Sequence, residues 1–185
     1  MNFILEGIGW FIYPMGLCSL VAMYVIIERT ISLRSNNVIP KEIITPLLSG
    51  VVLEDSYQSK SALGRILNFN KKNNPDSESL KAFALLEISR LERGMFLLDF
   101  VVSAAPLLGL LGTVSGLVAV FSTDGIPQPE NISRGMGLAL STTIIGLSIA
   151  IPALAAAAFL RRRVEMFAVK INICVESLID FNNKK

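Results

Sequence analysis

Three long stretches of the chain are almost free of charged side chains, and polar segments of very unequal length separate them. Residues 8–27 carry no charge over about 20 positions, and at about 1.5 Å per residue such a helix covers roughly the 30 Å hydrocarbon core of a bilayer. A second apolar run, 96–121, is interrupted by Asp99 near its start, and a third, 136–160, stops at Arg161, Arg162 and Arg163. The pattern predicts an all-α integral membrane protein with three transmembrane helices, since helices satisfy every backbone group within lipid. Between the second and third runs, 122–135 holds Asp124, Gly125, Pro127 and Pro129. That is turn chemistry for a short loop, so these two spans are expected to lie antiparallel.

The polar segments have patterns of their own. Pro40, Pro46 and Gly50 break the first part of 35–74, and 68–74 is rich in Asn and Lys, which predicts short helices and turns. From Asp76 or Ser77, either able to serve as an N-cap, Leu80, Ala84, Ile88, Leu91 and Met95 recur at helical spacing. This predicts an amphipathic helix running directly into the second span. After the third span, Val164, Phe167, Ile171, Cys174 or Val175, Leu178 and Phe181 follow one helical face, with Glu165, Lys170, Glu176 and Asp180 off it. The second and third helices are thus expected to extend beyond the membrane as a helical bundle packed on apolar stripes.

Composition agrees with this pattern and narrows the function. The 185 residues are 52% apolar, with a mean hydropathy of +0.56. Net charge is +2, too small to argue for nucleic acid. Its distribution is informative, because 10 Lys and Arg fall in 28–95, 6 in the tail from Arg161, and Arg134 alone in the short loop. The positive-inside rule then places the long segment and the tail in the cytoplasm. The chain divides into a periplasmic N-terminus with the first transmembrane helix (1–29), a cytoplasmic helical segment (30–95), the second transmembrane helix (96–121), a short periplasmic loop (122–135), the third transmembrane helix (136–160) and a cytoplasmic C-terminal helix (161–185). Glu6 precedes the first run without Lys or Arg, no small-residue cleavage site follows it, and Glu28-Arg29 close it. It reads as an anchor and not a signal peptide. The two cysteines, Cys18 and Cys174, stand far apart, and there is no histidine. No metal site, cofactor or catalytic constellation is expected, and a membrane enzyme has no nucleophile–base pair to work with.

The spans hold small and hydroxyl residues in clusters. Gly109, Gly112 and Gly116 line a narrow face of the second span, and Gly146 with the alanines from Ala150 to Ala158 does so in the third. Such faces let helices pack closely where lipid offers no hydrophobic drive. Thr113, Ser115, Ser141, Thr142, Thr143 and Ser148 each need a hydrogen-bond partner at that depth. Either each bonds the carbonyl one turn back, as is common for Ser and Thr in membrane helices, or the group lines a hydrated path or holds a polar group from another chain. Pro106 and Pro152 each break a backbone bond and are read as helix kinks, with Ser103 and Ser148 able to satisfy the freed carbonyls. Arg161, Arg162 and Arg163 are read as topology anchors meeting anionic headgroups. No carboxylate lies near mid-membrane, and Asp99 sits just inside the cytoplasmic boundary. Proton coupling would need a carboxylate from a partner.

These residues resemble a known family. Ala105-Pro106-Leu107-Leu108-Gly109-Leu110-Leu111-Gly112-Thr113-Val114 followed by Gly116, and Ala139-Leu140-Ser141-Thr142-Thr143 followed by Gly146-Leu147 and Ala150-Ile151-Pro152-Ala153, are similar to the paired span signatures of the MotA/TolQ/ExbB proton channel family. The first span conforms too, with Tyr13-Pro14, Cys18-Ser19 and Ile26-Ile27-Glu28-Arg29. With three spans the chain resembles the ExbB/TolQ side and not the four-span MotA type. The resemblance implies a homo-oligomer, a pentamer in the family, around single-span ExbD/TolR-type partners, each supplying a membrane aspartate. It further implies a motor of the bacterial inner membrane that uses the proton motive force to energise an outer-membrane process, either TonB-dependent uptake or Tol-Pal envelope maintenance, through a TonB- or TolA-like protein. Thr113 and Thr143 match the threonines that line the path near the partner aspartate, and Thr142 and Ser141 adjoin them. One departure is Leu138, where many members carry a glutamate. It leaves open a non-conducting structural scaffold that clusters a single-span partner; a stand-alone solute channel lacks a charged ring.

Overall fold

The computed structural model describes residues 9–40, 43–44, 61–121 and 129–183. A short 3₁₀ turn, Gly9–Phe11, leads into α1, Ile12–Ser32, followed by α2 (Ser35–Val38), α3 (Ala62–Asn73), α4 (Ser77–Glu92), α5 (Met95–Phe121) and α6 (Pro129–Asn183). Among the described residues there is no strand, and three helices are long and apolar enough to cross a membrane. The protein is an all-α, multi-pass membrane protein. Two compact units make it up, one formed by Met1–Ile27 with Gly94–Ala158, the other by Glu28–Arg93 with Phe159–Lys185.

The membrane unit is built on small residues. Met15, Cys18, Ala22 and Val25 form the buried stripe of α1, while Trp10, Tyr13, Leu17, Leu20 and Tyr24 point outward. On α5 and α6 the same division recurs: Leu98, Val101, Ala105, Ala139, Ala150, Ala153 and Ala157 are buried, and Phe100, Leu107, Leu110, Ile144, Ile151 and Leu154 are exposed. Apolar surface of this extent has no place in water, and lipid or further protein chains are its solvent.

The other unit has an ordinary globular core. Leu63, Ile66 and Leu67 of α3, Leu80, Ala84 and Ile88 of α4, and Val164, Phe167, Ile171, Cys174, Val175 and Leu178 of α6 are all buried. Ser61 caps α3 by accepting from the Gly64 amide at 3.0 Å, and the helix ends on Asn74 in the left-handed region, φ 40°, a conformation Asn tolerates better than most residues. Pro75 and the N-cap Asp76 then precede α4, with the Ser79 hydroxyl holding the Asp76 carboxyl below the usual carboxylate range. Phe69 and Phe83 stack across the hairpin with centroids 4.1 Å apart, and Asn182 donates to Asn70 at 3.0 Å. Burial pushes the Cys174 thiol up to about 11, so at neutral pH it packs as a small apolar group and not as a nucleophile.

The pattern of polar and apolar positions misses one feature of this core. Glu87 lies on the Leu80–Ala84–Ile88 stripe of α4 and is fully buried. Arg65 of α3 donates to one of its oxygens through Nε at 2.8 Å and through a second nitrogen at 2.6 Å, and Arg90 donates to the other at 2.6 Å. Burying a carboxylate alone costs several kcal/mol, roughly what two guanidinium partners offset.

Three expectations need correcting. The amphipathic helix from Asp76 does not run directly into the second span: α4 stops at Glu92, and Arg93–Gly94 form a turn with Gly94 at φ 88°, where glycine avoids a Cβ clash. Residues 129–135, assigned by polarity to the connecting loop, are helical, since Pro129 takes the first helical position and Glu130 the first turn, both favoured there. Ser103 and Ser148 do not serve the carbonyls freed by Pro106 and Pro152. They donate to Asp99 O at 3.0 Å and Ile144 O at 2.8 Å, the carbonyl one turn back being what a helical serine reaches. Both prolines lie inside continuous helices. The N-terminal residues 1–8, the breakers Pro46 and Gly50, and Asp124, Gly125 and Pro127 lie outside the described residues.

The two arginines on Glu87 are not equivalent. Arg65 ties two helices together through two bonds, whereas Arg90 makes one bond within its own helix and is 54% exposed. Arg65→Ala is expected to destabilise the protein by about 2 kcal/mol and Arg90→Ala by less than about 1 kcal/mol. Thermal unfolding of the purified variants in detergent checks the order; equal shifts would contradict the bridging role.

Candidate functional site

The seam between α5 and α6 is set by residues that lack bulk. A Cβ on Gly116 would lie 3.1 Å from the Ala139 side chain, one on Gly112 would lie 2.8 Å from Thr142 Oγ1, and one on Gly109 would lie 2.9 Å from the Thr142 carbonyl. On the facing helix a Cβ at Gly146 would lie 2.5 Å from the Ala105 carbonyl. Numbers fall along one helix as they rise along the other, so the pair is antiparallel with backbones in near contact. Gly137, outside the seam, has nothing near it.

Close approach brings hydroxyls of one helix to carbonyls of the other. Thr113 Oγ1 lies 2.8 Å from Ala139 O and 3.1 Å from Gly109 O. Thr142 Oγ1 lies 2.7 Å from Ala139 O and 3.0 Å from Gly109 O. Thr143 Oγ1 is 2.6 Å from Thr113 Oγ1 and 3.3 Å from Gly109 O. The cluster therefore consists of three hydroxyls sharing two carbonyls, held at one level of the membrane unit.

The three threonines differ in access. Thr142 is 2% exposed, wedged against Gly112 inside the seam, whereas Thr113 and Thr143 are half-buried and keep an open side. Ser141 stands apart, donating to Gly137 O one turn back at 2.8 Å. Cross-helix bonding, and not only bonding to the preceding turn, is thus what the threonines do, while Ser103, Ser141 and Ser148 bond within their own helix. The two shared acceptors, Gly109 O and Ala139 O, escape a reading by side-chain type. Their signal in the sequence is indirect: each lies four residues before a threonine, Thr113 and Thr143, and belongs to the small-residue face.

Within these helices no ionisable side chain lies between Asp99 and Phe121 or between Arg134 and Arg161. The site can orient water, donate to an anion or accept from an acid, and it cannot hold a charge itself. At the far end of the third span Arg161 and Arg162 are exposed, Arg162 lies 3.5 Å from Glu165, and the Arg163 guanidinium stands 5.3 Å from the Phe159 ring centroid. Leu138 is helical, with its side chain outside the described ones.

The model of the MotA/TolQ/ExbB proton channel family matches residues 54–172, a range that takes in α3, α4, α5 and most of α6. An ExbB-like biopolymer transport protein of Synechocystis is 31% identical over 165 residues, covering 79% of this chain and 65% of that relative. The biopolymer transport protein ExbB of Helicobacter pylori is 34% identical over 99 residues, 51% of this chain and 68% of its own length. The biopolymer transport protein exbB1 of Vibrio cholerae is 45% identical over 71 residues, 36% of this chain and 31% of its own length. The chain thus spans between about a third and two-thirds of the length of these relatives.

Seam geometry separates the glycines by consequence. Gly146→Ala puts a methyl against a backbone carbonyl that cannot turn away, and is expected to cost about 1–3 kcal/mol. Gly137→Ala meets open space and should stay within about 0.5 kcal/mol of the parent. Melting temperatures of the two variants in one detergent decide it, and an unshifted Gly146→Ala would refute the contact.

Proposed function

The chain belongs to the MotA/TolQ/ExbB proton channel family, and from that premise we propose that it is the proton-channel or stator subunit of an ExbB–ExbD or TolQ–TolR type motor. The supporting observation is the Thr113–Thr143 pair, 2.6 Å apart with an open side, in spans that contain no carboxylate at that depth. A hydroxyl pair can donate to an ionised carboxylate and hold relay water, which lowers the cost of a charge within the membrane. The carboxylate comes from an aspartate in the single span of an ExbD/TolR-type partner, enclosed by a ring of copies of this chain, five by resemblance. Exposed Phe100, Leu110, Ile144 and Ile151 supply apolar surface for lipid and neighbouring copies.

The protein lies in the bacterial inner membrane, with its N-terminus in the periplasm and its tail in the cytoplasm. Arg161, Arg162 and Arg163 at the end of the third span support this orientation. The names of the relatives favour biopolymer transport as the energised process, reached through a TonB- or TolA-like protein. Leu138 supports a second reading, a non-conducting scaffold, because it removes a protonatable group from the outer part of the third span.

Proton flux separates the two. The chain, purified with the single-span protein it binds and reconstituted into liposomes, is expected to pass protons under a potassium diffusion potential. Thr113→Val and Thr143→Val should assemble normally and lower that flux by about tenfold or more, since each removes one hydroxyl and leaves the shape. Parent-level flux in both variants would rule out the hydroxyl-lined path, and no flux from the parent at any potential would favour the scaffold.

A further inference from the structure

Thr142 has no open side, yet it competes for both carbonyls that the open pair uses. A carbonyl has two lone pairs, and in a helix the amide four residues on takes one. Gly109 O and Ala139 O therefore each accept one more proton, while Thr113, Thr142 and Thr143 bring three. Whichever carbonyl Thr142 serves is closed to the others, so Thr113 and Thr143 have one carbonyl between them and one of their two protons is left over.

When Thr142 donates to Gly109 O at 3.0 Å, Thr113 keeps Ala139 O at 2.8 Å and accepts from Thr143 at 2.6 Å. Thr143 then shows bare lone pairs to its open side. When Thr142 donates to Ala139 O at 2.7 Å, Gly109 O is left to Thr113 at 3.1 Å or to Thr143 at 3.3 Å, and with Thr113 on it the Thr143 proton goes to Thr113 at 2.6 Å or to an acceptor outside. That 3.3 Å contact is long for an O–H···O bond, so an ionised carboxylate takes the proton readily.

We infer that Thr142 is a positioning residue that occupies one of the two carbonyls and so leaves a proton of the Thr113–Thr143 pair free to turn outward, so that one site donates to an ionised carboxylic acid and accepts from the same acid once protonated. The inference rests on the reading of Thr113 and Thr143 as the path. It assigns Thr142 a place behind the path, acting through the pair without touching the carboxylate. Without the Thr142 hydroxyl, Thr113 and Thr143 each settle on a carbonyl, and donation to the ionised acid weakens. The acid then protonates at higher pH, because loss of a donor disfavours its charged form. The ionisable groups of α1, α5 and the membrane part of α6 lie away from the cluster in sequence: Asp99 near the start of α5, Glu130 and Arg134 in the first turns of α6 and Arg161 at its membrane end, and Tyr13, Cys18, Tyr24, Glu28 and Arg29 on α1.

The test compares Thr142→Val, which keeps the shape and drops the proton, with Thr142→Ser, which keeps the proton and drops a methyl. Both are reconstituted with the partner, and proton flux is recorded across pH at fixed potential beside Thr113→Val and Thr143→Val. Thr142→Val is expected to lose about fivefold to tenfold in flux and to move the pH midpoint upward, while Thr142→Ser stays within about twofold of the parent. A packing role predicts the opposite, with Ser the damaged variant, Val harmless and the midpoint unmoved. Parent-like flux and midpoint in Thr142→Val, or equal loss in Thr142→Ser, overturns the inference while Thr113→Val and Thr143→Val remain inactive. If those two conduct normally, the path and the inference fall together. Should Thr142→Val not assemble, Thr142→Ala is scored by the same midpoint shift.

Discussion

Everything in the membrane unit depends on how closely α5 approaches α6. Hydroxyl-to-carbonyl bonds between helices require backbones a few ångströms nearer than ordinary side chains allow, and the seam achieves this with Gly109, Gly112, Gly116 and Gly146 against Ala105 and Ala139. With lipid as solvent there is no hydrophobic gain in bringing the two helices together, so dispersion along this seam and the polar bonds it permits supply the attraction. Packing and polar chemistry are one feature here, since the notch left by Gly112 is what Thr142 fills.

Away from the seam the protein changes its means of cohesion. The unit formed by 28–93 and 159–185 has a core of Leu, Ile, Val and Phe, capped helices, and a carboxylate buried between two guanidiniums. These are the devices of a protein in water, where burying apolar area is the main gain. α6 serves both regimes along 55 residues, with alanines buried at 150, 153 and 157 and large apolar residues buried from Leu160 onward. The switch in residue size occurs where Arg161, Arg162 and Arg163 stand.

Much of this was legible in the sequence because the signals are long and repetitive. Three apolar runs, the stripe from Val164 to Leu178 and the small-residue faces each rest on several residues, so no single exception hides them. What was hidden rests on single residues or on backbone atoms. Glu87 reads as a surface glutamate, since only the third dimension brings Arg65 to it. The break at Arg93–Gly94 hangs on one glycine within an otherwise continuous helical pattern. The helical start at Pro129 was masked by proline and polar residues that suit a loop and a helix N-terminus equally well. The shared acceptors at Gly109 and Ala139 are carbonyls, which no residue letter records, and the difference between Thr142 and Thr143 is one of helical facing, about 100° per residue.

Under the proposed function, that difference bears on why the wall of the path carries hydroxyls and no acid. A carboxylate on this chain at mid-membrane would cost at least about 3 kcal/mol where it lacked a partner, and beside a partner's acid it would share one proton between two sites and hold it there. A hydroxyl neither gains nor loses charge, so it adds no competing trap. Its weakness is polarity, because a hydroxyl fixed as a donor favours the ionised acid and one fixed as an acceptor favours the protonated acid. On the inference drawn above, three hydroxyls on two carbonyls lessen that bias, since one proton is always left over for the pair or for the acid. On the proposed function, Thr113 and Thr143 are the pair facing the path and Thr142 is the hydroxyl behind it.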